Sequence, residues 1–145
     1  MLKMKLIAAL CAVLILLASC AAKDDFTDYS VTEYPPIEYL SAETEFSEYD
    51  GNAEEIWVIL SNHRDEAFHY DYEWWLEKEV DDGWRAIRFL KEREFDCLDR
   101  IMKHGSSEYI PCDLKGYVKQ PLLPGHYRIW VGGEEGRVPA EFTIK

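Results

Sequence analysis

Residues 68–84, which read FHYDYEWWLEKEVDDGW, decide the fold. Large apolar side chains occupy every second position of the first half, at Phe68, Tyr70, Tyr72, Trp74 and Leu76. Because successive side chains of a β-strand point to opposite faces, this alternation predicts a strand with one buried apolar face and one acidic face. Asp81-Asp82-Gly83 then predicts a tight turn, in which we expect the glycine to adopt the positive φ.

The same period of two recurs through the rest of the chain. It predicts further strands over residues 44–49, 54–62, 84–89, 106–114, 122–131 and 138–145. Within 54–62, apolar residues fall on both faces, so we expect a strand covered on both sides. Pro111 places its strand at a sheet edge or a bulge, whereas residues 91–104 have no clear period and fit a strand, a helical turn or a loop. About seven short strands predict an all-β, immunoglobulin-like β-sandwich.

The N-terminus carries the pattern of an exported chain. Two lysines precede an apolar run, and the run ends in Leu17-Ala18-Ser19-Cys20, which resembles a bacterial lipobox. This predicts a lipoprotein signal peptide over residues 1–19, lipidation of Cys20, and a protein anchored to the cell membrane on its extracytoplasmic side. The alternative is an uncleaved anchor helix with an incidental cysteine.

Composition and charge divide the remainder and exclude one class of partner. Residues 20–40 are acidic, contain proline and lack a sustained period, which predicts a tether, and residues 41–145 form one domain. The whole chain has a net charge of −12. Removing residues 1–19 takes away two lysines and no acid, which leaves about −14. Such a surface repels phosphates, so we expect no nucleic-acid partner.

Two cysteines remain after the signal peptide and the lipidation site. Cys97 and Cys112 form an even pair in a compartment that permits disulfides. A bridge between them would close a loop of about fifteen residues and stabilise the fold by about 3 kcal/mol. The alternative is two buried free thiols.

Two clusters of residues resemble a known family. Leu76-Glu77-Lys78 with Gly83-Trp84, and Leu123-Pro124-Gly125 with Tyr127-Arg128-Ile129, are similar to bacterial Ig-like domains found in surface lipoproteins of Gram-positive anaerobes. The resemblance spans residues 41–145, implies an Ig-like β-sandwich, and brings no catalytic residue, ligand residue or cofactor with it. Tyr127, just after the Pro124-Gly125 turn, is placed for a tyrosine corner, in which the hydroxyl bonds back to the backbone.

Motifs for catalysis and metal binding are weak. His104 lies near Ser106 and Ser107, but there is no nucleophile elbow, and a polar turn explains the sequence better. The four histidines are scattered without metal-ligand spacing. Paired carboxylates occur in turns and at strand ends, where solvated acids are usual. We therefore predict a protein that is not an enzyme and has no metal or cofactor.

Trp75 is the residue on which a ligand-binding function would depend. Its parity sets it on the polar face, where His69 and Glu73 would supply hydrogen bonds to a sugar stacked on the indole. The alternative is that Trp75 lies under a loop or the tether. The other four tryptophans, Trp57, Trp74, Trp84 and Trp130, are expected in core or cross-strand packing.

The sequence thus predicts a structural or protein-interaction module held to the membrane by its lipid, with an unknown protein or glycan partner. A carbohydrate-binding surface lipoprotein that uses the Trp75 face is the first alternative. A small inhibitor or accessory subunit of an envelope complex is the second.

Overall fold

The computed structural model describes residues 24–27, 35, 37–81, 83–96 and 98–145. Its elements, in chain order, are β1 (Leu40–Thr44), β2 (Glu48–Tyr49), β3 (Glu55–Asn62), β4 (Phe68–Tyr70), β5 (Trp75–Val80), β6 (Gly83–Ala86), β7 (Arg100–Met102), β8 (Ser107–Asp113), the single turn of helix α1 (Leu114–Tyr117), β9 (Gly125–Gly133) and β10 (Gly136–Ile144).

These strands form two layers and a small third sheet. One sheet has the order β1-β3-β8, the second has the order β2-β10-β9-β5-β6, and β4 pairs with β7. The predicted all-β, Ig-like sandwich is confirmed. The described residues contain ten strands rather than seven. Two predicted strands, residues 44–49 and the strand that begins at Phe68, are each interrupted, and residues 100–102 form β7 in the segment whose structure the sequence left open.

The inner faces of the two large sheets form the core. The last strand contributes Val138, Ala140, Phe142 and Ile144, all buried as their alternation predicts. At one end, the buried ring of Trp74 lies among the rings of Phe89, Phe95 and Tyr117 at centroid distances of 5.0–5.9 Å. The core is therefore built from alternate strand positions and one aromatic cluster.

The opening stretch is two strands and not the single strand predicted. After β4 the chain turns at Asp71, whose carboxylate accepts a hydrogen bond from the Glu73 N–H at 2.8 Å, and β5 begins only at Trp75. The burial alternation survives the break: Phe68, Tyr70, Trp74 and Leu76 are buried. A local side-chain bond to the backbone competes with the sheet ladder here, which hydrophobic alternation does not reveal.

The turn between β5 and β6 is where it was predicted, but its strained residue differs. Val80 pairs with Gly83, and the positive φ of 56° belongs to Asp81. Aspartate tolerates this region better than most residues because its short polar side chain can bond locally. Gly83 itself is the first residue of β6.

The prediction that strand β3 is covered on both sides is wrong. Ile56, Val58 and Leu60 are fully buried, as expected, but Trp57 on the opposite face is 37% exposed and Ile59 is only partly buried. The sheet β1-β3-β8 is therefore covered on one side rather than on both by the residues that the structure describes. Strand β8 is an edge strand, which confirms the place predicted for Pro111.

The final hairpin is confirmed together with its tyrosine corner. Strands β9 and β10 pair from Gly136↔Gly133 to Ile144↔Gly125. The hydroxyl of Tyr127 donates to the Leu123 carbonyl at 2.6 Å, and the Tyr127 ring is fully buried. This burial, together with the nearby Asp24 carboxylate, raises the pKa of Tyr127.

Part of the predicted tether contacts the domain. Phe26 forms an isolated β-bridge with Ile87, and the Asp24 carboxylate accepts from the Lys78 ammonium at 2.7 Å. Strand β1 begins at Leu40, one residue before the predicted boundary. The predicted signal peptide and Cys20 lie outside the described residues. Of the helical segments that the structure does describe, none has the length and apolar character needed to span a membrane.

Candidate binding surfaces

A cleft of about 610 Å³ opens between β4 and the β9-β10 hairpin. Close backbone packing shapes it: a Cβ on Gly133 would lie 2.2 Å from the His69 carbonyl oxygen, so only glycine permits this approach. The lining is rich in carboxylates, with Asp71, Glu73, Asp99, Glu134 and Glu135 beside His69, Tyr70 and Arg137. We call it the acidic cleft.

Most carboxylates of the acidic cleft already have partners. The Arg137 guanidinium, itself buried, contacts Asp71 at 3.0 Å and Glu73 at 2.9 Å. Asp99 contacts His69 at 2.8 Å. Glu135 accepts two hydrogen bonds from Arg64, at 2.8 and 3.0 Å, which lower the pKa of the Glu135 carboxyl. Four of the five carboxylates that line the cleft thus contact a basic side chain of the described domain.

The three residues of the predicted ligand face are only partly brought together. His69 and Glu73 line the acidic cleft, and Trp75 does not. Trp75 is partly buried, and two guanidinium groups lie over its ring, Arg137 at 5.0 Å and Arg93 at 5.7 Å from the centroid. These cations lie where a stacked sugar ring would have to approach the indole.

Trp75 belongs to the outer face of the five-stranded sheet, where the register β10-β9-β5-β6 aligns alternate residues. We call this surface the stacked face: Trp75, Glu77, Glu79, Trp84, His126, Arg128, Trp130, Arg137 and Glu141. The Arg128 guanidinium lies 4.3 Å from the centroid of Trp84 and 4.8 Å from that of Trp130. Aromatic and cationic side chains therefore cover one another across four strands.

Glu77 is the centre of the stacked face. It is 1% exposed, bonds to the Arg128 Nε–H, and accepts from the Trp130 indole N–H at 2.9 Å. A buried carboxylate is costly unless it is paired and hydrogen-bonded, and here both conditions hold. The sequence reading placed Glu77 on a solvated acidic face. The pairing Glu77↔Arg128 depends on strand register, which parity alone does not give.

The outer face of the three-stranded sheet is different. At its centre, the cross-strand pairs Trp57↔Pro111 and Ile59↔Tyr109 place four apolar side chains side by side, and Tyr109 is 55% exposed. We call this surface the open face: Trp57, Ile59, Tyr109 and Pro111. Sequence reasoning assigned Trp57 to packing, because it expected this strand to be covered on both sides.

Polar side chains surround the apolar centre of the open face. At one end the hydroxyls of Ser61 and Ser107 are 2.7 Å apart, and Ser41 lies 2.7 Å from the Nε2 atom of His63. The remaining border is acidic, since strand parity and the Glu45 N–H to Trp57 carbonyl bond bring Glu43, Glu45, Glu55 and Asp113 around the apolar centre. All four of these acids are exposed.

The serine and histidine singled out for catalysis do not meet. His104 contacts the Arg64 carbonyl through Nδ1, at 2.5 Å, while the Ser106 hydroxyl donates to the Lys103 carbonyl. Among the described residues, no group of three His, Cys, Asp or Glu side chains could hold a metal ion.

Of the two cysteines predicted as a bridge or as thiols, only one is described. Cys112 is a free, fully buried thiol on the inner face of β8, and burial raises its pKa well above the ordinary value. Cys97 lies outside the described residues.

Comparison with known proteins identifies the family. The sequence model of a family described as bacterial Ig-like domain matches residues 37–143, and the chain belongs to this family. Among curated proteins none matches. Among solved structures, a β-glucosidase from Erythrobacter marinus is similar with 14% identity and a TM-score of 0.41. The match covers 73% of this chain and 15% of the glucosidase, about a seventh of that protein's length.

Proposed function

We propose that the protein is a non-catalytic, lipid-anchored interaction module that displays its Ig-like domain on the extracytoplasmic side of the cell membrane. An Ig-like domain fits a structural or interaction role. The observation that carries the interaction role is the open face, where Trp57 and Tyr109 are exposed next to each other on a regular sheet. Contiguous exposed apolar surface with aromatic residues is characteristic of protein-binding sites.

The anchoring part of the proposal depends on the sequence Leu17-Ala18-Ser19-Cys20. The acidity of the chain supports it, because a surface of this charge is repelled by anionic lipid head groups and needs a covalent anchor to stay at a membrane. One myristoyl-sized chain gives only marginal binding, whereas several acyl chains give a stable anchor.

We do not propose a glycan-binding function at Trp75. The guanidinium groups of Arg93 and Arg137 lie over the indole, and Glu73 is engaged by the same two arginines. The face predicted for a sugar is therefore occupied by the protein's own side chains.

The lipid anchor is tested by Cys20→Ala with Cys11→Ala as its matched control. Cells expressing each variant are fed a radiolabelled or clickable fatty acid, and the protein is followed in membrane and soluble fractions. We expect Cys20→Ala to lose label and Cys11→Ala to keep it. Label that persists in Cys20→Ala contradicts the anchoring proposal.

The interaction role is tested on intact cells with a photo-crosslinking amino acid at position 57 and, as the control, at exposed position 92. We expect discrete crosslinked protein products from position 57 and none from position 92. An equal absence of products at both positions would refute the interaction role.

A further inference from the structure

The open face is apolar at its centre and unneutralised at its border. Of its acids, Glu43, Glu45 and Glu55 have no ion-pair partner among the described residues, and Asp113 caps the Gly116 N–H at the start of α1. Lys115 forms an ion pair with Glu54, and its ammonium also interacts electrostatically with the Asp113 carboxylate. Glu43, Glu45 and Glu55 thus lack an ion-pair partner among the described residues.

The stacked face holds its acids in a different arrangement. There Glu77 is paired with Arg128, and both Glu79 and Glu141 contact His126, at 3.0 and 3.2 Å. On the stacked face each of these acids has a side-chain partner among the described residues, whereas Glu43, Glu45 and Glu55 at the border of the open face have none there.

A second copy of this chain is a poor occupant of the open face. A symmetric dimer would bring two copies of the Glu43, Glu45 and Glu55 border into one interface, where like charges oppose association. An anionic partner meets the same repulsion. Charge complementarity requires positive groups opposite these acids, and the centre requires apolar contact with Trp57 and Tyr109.

We propose that the open face docks a basic polypeptide segment that places an aromatic or aliphatic side chain on Trp57, Ile59 and Tyr109 and lysines or arginines opposite Glu43, Glu45 and Glu55. This inference rests on the proposed interaction role and names the chemistry of the partner. Tryptophan and tyrosine supply most of the binding energy at such surfaces, and the border charges set specificity and association rate.

The test uses the full chain in a neutral detergent and two fluorescein-labelled peptides of reversed charge, KKLWLKK and EELWLEE. Binding is followed by fluorescence anisotropy at low and high salt. We expect KKLWLKK to bind, EELWLEE to bind at least tenfold more weakly, and the affinity for KKLWLKK to fall as salt rises.

Variants localise that binding to the open face. We expect Trp57→Ser to weaken KKLWLKK by at least tenfold, with Tyr109→Ser as a second variant should the first fail to fold. Glu43→Gln with Glu45→Gln should weaken it severalfold and flatten its salt dependence. The matched pair Glu92→Gln with Glu94→Gln removes the same charge from another exposed segment and should leave the affinity unchanged.

Equal affinity for both peptides, or peptide binding that neither serine variant weakens, would overturn the proposal. Binding of cellohexaose or chitohexaose that Trp57→Ser abolishes would also overturn it, as would self-association of the chain through this face. Absence of KKLWLKK binding while position 57 still crosslinks a protein on cells refutes the basic-segment proposal and leaves the interaction role standing. Absence of crosslinks on cells refutes the interaction role itself.

Discussion

The two outer sheet faces of this domain treat the same kinds of residue in opposite ways. On the stacked face, Trp130 is 5% exposed and Arg128 is 9% exposed, because they cover each other and both bond to Glu77. On the open face, Trp57 and Tyr109 remain exposed and the neighbouring acids are unpaired among the described residues. On one face the aromatic side chains are covered by the chain's own arginines, and on the other they are exposed.

The difference shows that residue type does not separate a structural surface from a binding surface. Both faces carry tryptophan and glutamate at alternate strand positions. What distinguishes them is whether the neighbouring strands bring arginine or histidine into register, as β9 does for β5 through Glu77↔Arg128 and β8 does not for β3. The same chemical change should therefore have unequal effects on the two faces.

Glu77→Gln should have the largest effect. It leaves the buried Arg128 guanidinium without its counter-charge, and we expect the free energy of unfolding to fall by about 3 kcal/mol. Glu55→Gln on the open face should change it by less than about 0.5 kcal/mol. Urea denaturation at neutral pH, followed by circular dichroism, measures both. Equal losses would mean that the stacked face is no more self-stabilised than the open one.

Trp130→Phe and Trp57→Phe form the second matched pair. Phenylalanine at position 130 cannot donate to Glu77, so a buried acceptor loses one of its partners and we expect a loss of about 2 kcal/mol. At position 57 the same replacement should cost less than about 0.5 kcal/mol. Thermal and urea denaturation measure the stability of both variants. A larger loss of stability in Trp57→Phe than in Trp130→Phe would contradict the difference in burial between the two tryptophans.

Tyr127→Phe tests the inner side of the five-stranded sheet, and its effect on stability should depend on pH. Loss of the bond to the Leu123 carbonyl should cost about 1 kcal/mol at pH 7. An unfolded tyrosine ionises near pH 10, and burial raises the folded pKa of Tyr127 above that value. The neutral Tyr127 side chain therefore makes its full contribution to the free energy of unfolding below about pH 10, and this contribution declines as the pH rises further.

We accordingly expect the stability gap between the unmodified protein and Tyr127→Phe to narrow between pH 9 and pH 11, in urea titrations at each pH. Tyr109→Phe is the control on the open face and should show no gap at either pH, because the Tyr109 ring is exposed. If the stability difference between the unmodified protein and Tyr127→Phe stays constant with pH, the raised pKa of Tyr127 in the folded protein is contradicted.

The smallest effect is expected from Glu43→Lys with Glu45→Lys. Since neither acid has a cationic partner among the described residues, their removal breaks no ion pair, and unfolding should become harder by a few tenths of a kcal/mol at most. Denaturation at low and at high salt should agree within about 0.5 kcal/mol. A clear loss of stability would show that these acids are structural.

Much of the fold could be predicted from hydrophobic alternation. It located the buried side chains within residues 68–76, the edge position of Pro111 and the final hairpin, and the tyrosine corner at Tyr127 was predicted from the Pro124-Gly125 turn. It failed where a side chain interrupts the backbone ladder, as Asp71 does between β4 and β5, and where a neighbour decides exposure, as at Trp57. Of the predicted ligand face, His69 and Glu73 share a cleft, while Trp75 is held by arginines from distant segments.

The sequence by itself determined the all-β class, the alternation of buried and exposed positions, the acidity and the prediction of a lipid anchor, because each depends on composition or on neighbours along the chain. Only the tertiary structure decided that Glu77 is buried between Arg128 and Trp130, and that Trp57 is exposed beside acids that have no ion-pair partner in the described part of the chain. Register and layer order bring residues together across about fifty positions of sequence, and the free energy of each side chain depends on what those contacts place beside it.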